Sequence, residues 1–157
     1  QGGSRGFHGQ DAVPPCGQMK QALDTSVIVA ALDGSDPDHA ACRTLLLSAK
    51  FAAWSHALSE TFSTLTGGRL GIRISPSVAA SILREKVAPR LAITSLTESE
   101  LLDAYENAET RGVRGGAVYD FLHLAVAKKA GASRIYTLNL TDFRAIYRTG
   151  DPQIVHP

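Results

Sequence analysis

Short apolar runs alternate with helical patterns along this chain. Lys20 to Asp24 reads as a strand. Val27 to Leu32 either extends it past Thr25 and Ser26 or turns at once into a short helix. Phe51 to Trp54, Leu91 to Leu96 and Arg134 to Leu138 are three more strands, and Gln153 to His156 adds an edge strand. Between them, helices are expected over Ala40 to Ala49, His56 to about Thr66, Pro76 to Val87, Glu98 to about Thr110, Ala117 to Ala130 and Leu140 to Tyr147. Their ends are marked chemically. Asp36 and Pro37 suit the N-cap and first position of one helix, Ser55 and Asn139 can cap two others, and Ser75-Pro76 starts a fourth. Thr97 to Glu100 spells a capping box. Gly67-Gly68, Pro89 and Gly131 act as stops.

Strands alternating with helices predict an α/β fold: a three-layer α/β/α sandwich with a mostly parallel central sheet of four to five strands. The length of 157 residues suits one domain with a single sizeable core. Residues 1–18 lack periodicity and precede Met19, so they read as an expression remnant, leaving 19–157 as the domain. Without Cys16, Cys42 stands alone in a helical pattern, a buried structural thiol in a reducing, cytoplasmic setting. No run approaches the ~18 apolar residues of a membrane span. The net charge of +1 gives no global footprint for nucleic acid.

The candidate chemistry is acidic. Asp24 stands between two apolar runs, and a buried carboxylate costs several kcal/mol unless paired. In open α/β sheets, ligands bind outside the carboxyl ends of the strands. Asp24 ends the first strand, Glu60 lies in the helix after the second, and Asp142 opens the helix after the fourth. Asp120 sits in the first turn of a strongly apolar helix. Four carboxylates gathered without cations would raise one another's pKa. Hard divalent ions resolve this, and oxygen ligands favour magnesium or manganese over zinc. Two such ions about 3.5–4 Å apart could clamp a phosphoryl transfer. Taken singly, Asp142 is equally a helix N-terminal charge and Glu60 a solvated helix face.

Four segments sharpen this reading: L-D-T-S-V-I-V-A from Leu23, L-S-E at Leu58 to Glu60, Y-D-F-L-H-L-A-V-A from Tyr119, and I-Y-T-L-N-L-T-D-F from Ile135. In this order, over essentially all of 19–157, they resemble PIN-domain ribonucleases, and most closely the VapC toxins of type II toxin–antitoxin pairs. The resemblance implies that Asp24, Glu60, Asp120 and Asp142 are the metal-binding acids. It places Ser26, Thr137 and Asn139 as small polar support. It also implies magnesium-dependent endonucleolytic cleavage of single-stranded or looped RNA to a 5′-phosphate and a 3′-hydroxyl, a homodimer, and a cognate antitoxin that blocks the site. His56 and His123 are mild departures from the family pattern.

Each of those histidines can share a helical face with an acid, His56 with Glu60 and His123 with Asp120, as a ligand or proton shuttle or simply as a bonded, partly buried side chain. Trp54 reads as core, with stacking on a base as the other option, and Tyr119 and Phe143 read as packing. Arg69, Arg73, Arg111 and Arg114, in glycine-containing loops, are candidates for phosphate contacts or plain surface charge. Asp33 to Asp38 fails as a calcium loop, because its sixth position is Asp38 and its twelfth Thr44. Thr66 to Gly71 lacks dinucleotide spacing. A binding module that holds RNA or protein without cutting is the alternative, although all four acids are present. A haloacid-dehalogenase-type phosphohydrolase would need an Asp where Ser26 stands.

Overall fold

The structure, a computed structural model, describes residues 20–68 and 70–157. The segment read as an expression remnant, with Cys16, lies outside these residues, as does Arg69. The strands are β1 (Gln21–Leu23), β2 (Phe51–Trp54), β3 (Leu91–Thr94), β4 (Arg134–Tyr136) and β5 (Gln153–Val155). They form one sheet in the order β3-β2-β1-β4-β5, and every pairing is parallel. The helices are α1 (Thr25–Leu32), α2 (His39–Ser48), α3 (His56–Gly67), α4 (Pro76–Ile82), α5 (Glu98–Glu106), α6 (Ala117–Lys129) and α7 (Leu140–Ile146).

The period-2 alternation of the strands sorts the core into two layers. Leu23, Phe51 and Ala53 face one side with Val27, Ile28, Cys42, Leu46 and Val87. Ala22, Ala52 and Ile135 face the other with Phe121, Leu124, Ala127 and Phe143. Apolar surface is thus buried on both faces, as a parallel sheet requires. Burial pushes the Cys42 thiol up to about 11, which keeps it protonated and inert. Among the described residues, no helix is long and apolar enough to cross a membrane.

Several local expectations differ from the structure in instructive ways. Val27 to Leu32 is helical, because Asp24 caps α1 by accepting the Thr25 backbone N–H at 2.7 Å. Asp36 does not cap α2; its Oδ1 accepts the Asp38 N–H at 2.8 Å, and the helix begins after Asp38. Ser55 makes no side-chain cap and instead accepts the Ser95 hydroxyl. The fourth helix widens into a π-type turn at Leu83–Val87 and tightens over Ala88–Arg90, around Pro89. The fifth ends at Glu106, and a short tight turn follows at Glu109–Arg111. The capping box of α5 is present as read, and Gly68 and Gly131 take the positive φ that ends α3 and follows α6.

With β1 central and the chain winding outward in both directions, the sheet order reverses between β1 and β4. That switch point is where open α/β sheets present their crevice. It is also where Asp24 and the residues following β4 meet.

Candidate active site

Asp24 leaves β1 with its backbone N–H bonded to Tyr136 of β4, and the residue is 5% exposed. Three donors hold the carboxylate. Oδ1 takes the Thr25 N–H at 2.7 Å; Oδ2 takes the Ser26 hydroxyl at 2.7 Å and the Thr137 hydroxyl at 2.8 Å. The support is itself supported: Leu138 N–H donates to Ser26 Oγ at 3.0 Å, and Asn139 N–H donates to Thr137 Oγ1 at 2.9 Å. A buried carboxylate with this many donors is fixed in direction.

Asp120 faces the same cleft from the first turn of α6. Asn139 does not cap α7 as its position suggested; its amide Nδ2 donates to Asp120 Oδ2 at 3.1 Å. Partial burial and the charges of Asp24, Asp142 and Glu60 push the Asp120 carboxyl up to about 6, against a partial offset from His123. Asp142 is exposed in the first turn of α7 and contributes to this crowding from the rim.

Glu60 belongs to a second group. His123, 3% exposed, lies with Nε2 2.9 Å from Glu60 Oε1, and the Thr25 hydroxyl donates to the same oxygen at 3.1 Å. Since the carboxylate only accepts, Nε2 carries the proton. Burial alone would raise Glu60, but the His123 hydrogen bond and charge, Thr25 and His56 outweigh it, and Glu60 lies below its usual value. His123 is shifted the other way: burial would lower it, but Glu60, Asp24 and Asp120 raise it. Its Nε2 is 3.7 Å from Asp24 Oδ1, so it links the two groups of acids.

The cleft they share, about 390 Å³, is lined by Asp24, Ser26, Glu60, Asp120 and Asn139, together with Thr25, Asp36 and Leu70. The last three were not singled out for the site from sequence. Thr25 read as an interruption between runs, and Asp36 as a cap. Arg73 and Arg114 are exposed loop residues. Arg111 is engaged elsewhere: it pairs with Asp151, donates to the Ile146 carbonyl at 3.1 Å and covers the Phe121 ring at 5.3 Å.

The acids Asp24, Asp120 and Glu60 that line the cleft offer hard oxygen donors. Among the described residues, no three His, Cys, Asp or Glu side chains stand together as a ready-made coordination shell. An ion that keeps several waters and takes one or two carboxylates, as magnesium does, fits such a pair as Asp24 and Asp120. Burial and, after it, the acidic neighbours raise the Asp120 carboxyl, and a cation there would relieve the part that is repulsion.

Comparison with known proteins agrees with this architecture. The PIN domain matches residues 22–148. Ribonuclease VapC27 of Mycobacterium tuberculosis is 37% identical over 101 residues, 64% of this chain and 72% of that protein. The crystal structure of Mycobacterium tuberculosis VapC20, a sarcin-ricin loop cleaving toxin, superposes with a TM-score of 0.65 at 21% identity, covering 88% of this chain and 100% of that one. VapBC2 from Rickettsia felis, bound to a DNA fragment from its promoter, gives 0.61 at 18% identity, covering 88% and 98%. The match runs from β1 past the end of α7 and includes every acid of the cleft, so the chain belongs to the PIN-domain family, among its VapC-type members.

Proposed function

We propose that this chain is a magnesium-dependent endoribonuclease, acting as the toxin of a toxin–antitoxin pair. The observation that carries the reading is the convergence of Asp24 and Asp120 at the β1/β4 switch point, one locked by three donors and the other raised to about 6 by burial and by its acidic neighbours. Similarity to a ribonuclease of the VapC type supports the reaction class, and the VapBC neighbour supports an antitoxin as partner. A homodimer and a cytoplasmic location go with the same reading.

In this reading Asp24 and Asp120 hold a magnesium or manganese ion, with Glu60 and Asp142 acting through bound water or a second ion. Such an ion, when bound, lowers the pKa of a water and offsets the phosphate charge. The protein's own groups do the positioning. Ser26 and Thr137 both donate to Asp24 Oδ2, and only the Thr25 N–H donates to Oδ1, which leaves Oδ1 with acceptor capacity for an ion. Asn139 fixes Asp120 Oδ2 and leaves Oδ1 free of that bond. His123 and Thr25 hold Glu60 ionised at the cleft wall. Attack in line with the leaving 3′ oxygen leaves a 5′-phosphate. Arg73 and Arg114 are the described candidates for contacting the RNA backbone, which positions a strand without reading it.

The test is incubation of the purified protein with total cellular RNA and magnesium, followed by mapping of new 5′ ends. Discrete ends are expected, absent with a chelator and absent for Asp120→Asn, whose far-UV dichroism stays native. Full cleavage by Asp120→Asn at ordinary magnesium would remove Asp120 from the mechanism.

A further inference from the structure

Apart from the charge effect of His56 on Glu60, one group of side chains beside the cleft has no part in the chemistry above. Trp54 ends β2, His56 opens α3 and Tyr119 lies in the first turn of α6. Their rings form a tier. His56 is 4.6 Å from Trp54 with a tilt of 35°, and 5.3 Å from Tyr119 and parallel to within 8°. Trp54 also meets His123 edge to face at 5.1 Å. The tier is continuous with the acids: His56 Nε2 is 3.9 Å from Glu60 Oε1, and Tyr119 directly precedes Asp120.

Packing does not account for it. Phe51 and Phe143 are fully buried in the core, whereas Tyr119 is 48% exposed and the His56 side chain 37%. Two parallel, half-bare rings beside a pocket suited to a phosphodiester offer what an unpaired base needs, a flat π surface within reach of its own backbone.

We propose that Tyr119, His56 and Trp54 form a nucleobase subsite, on which one unpaired base of a single-stranded RNA stacks while its neighbouring phosphate lies at Asp24 and Asp120. This inference rests on the nuclease reading. Tyr119 and His56 are positioning residues here, and Trp54 backs the stack. The Tyr119 hydroxyl gives the platform a polar edge. Stacking is tolerant of base identity, so the subsite favours unpaired over duplex RNA more than one sequence over another.

Trp54 is the chain's one tryptophan, so its emission reports on the tier directly. Full-length protein is titrated with a cleavage-resistant, phosphorothioate-linked single-stranded RNA ten-mer in magnesium. A saturable change in Trp54 emission is expected. Tyr119→Ala should weaken binding about tenfold, whereas Tyr119→Phe keeps it. One abasic nucleotide in the ten-mer should cost a similar factor and then make Tyr119→Ala silent. Equal affinity of Tyr119→Ala for the intact ten-mer, with RNA still cut by the otherwise unaltered chain, would overturn the subsite and leave the nuclease reading standing. Loss of antitoxin binding with RNA affinity intact would also overturn it, by assigning the rings to a protein partner. If the unaltered chain neither binds nor cuts RNA, the nuclease reading fails and the subsite with it.

Discussion

Removing one charge from the acidic cleft should stabilise the metal-free protein. Asp120→Asn is nearly isosteric, and an amide oxygen can still accept from Asn139. In the fold the Asp120 carboxyl is raised from 3.8 to about 6 by partial burial and by Asp24, Asp142 and Glu60. At 1.36 kcal/mol per pH unit, that rise corresponds to an upper bound of about 3 kcal/mol. The side chain is only half-buried, and solvent screening reduces the effect to about 1 kcal/mol. The sign follows from linkage. The folded state holds this proton more tightly than the unfolded state, so folding is favoured below 3.8, and the penalty grows until the pH passes about 6. In urea denaturation with a chelator, Asp120→Asn should therefore exceed the unaltered chain by about 1 kcal/mol at pH 8, and the gap should close towards pH 4. With saturating magnesium the order should reverse, because a ligand at 100 times its Kd adds about 2.7 kcal/mol to the protein that binds it. A variant equally or less stable than the unaltered chain at pH 8 in chelator would refute the argument that these carboxylates crowd one another.

Thr137→Val keeps the volume of a fully buried residue but removes a donor from Asp24 and an acceptor from the Asn139 N–H; a loss of about 1–3 kcal/mol in urea denaturation is expected, with a fall in cleavage. Asp151→Asn breaks the pairing of Arg111 and Lys128 around a side chain 2% exposed and should cost about 2–3 kcal/mol at pH 7. Burial would raise Asp151, but Arg111, the Arg148 N–H and Lys128 bring it below its usual value. Its contribution is thus full above the unfolded carboxyl's pKa and is lost as pH falls through the lower folded value, so denaturation of the two proteins should converge in acid.

Asp24 was legible in the sequence because an unpaired carboxylate between apolar runs has no packing explanation, and the alternation of strands with helices announced the parallel sheet. What could not be read was the choice among equivalent local partners. Asn139 and Ser55 both look like N-caps, since a short polar side chain before a helix usually bonds to its first turn. Here tertiary contacts outbid that bond, with Asp120 taking the Asn139 amide and Ser95 donating to Ser55. Thr25 looked like a chain break, yet its hydroxyl reaches Glu60 across 35 positions of sequence. His123 could be placed on the face of Asp120 by helical spacing, but only the fold shows it turned to Glu60. Arg111 was indistinguishable from Arg114 in a glycine-rich loop until Asp151, forty residues on, was brought beside it.

The most direct measurement is calorimetric titration of manganese into the purified chain and into its Asp24→Asn and Asp120→Asn variants. Saturable binding by the unaltered protein, lost in both variants while each remains folded, is the predicted result. Undiminished manganese binding by both variants would contradict the claim that these two carboxylates, brought together at the β1/β4 switch point, are what the site uses to hold its ion.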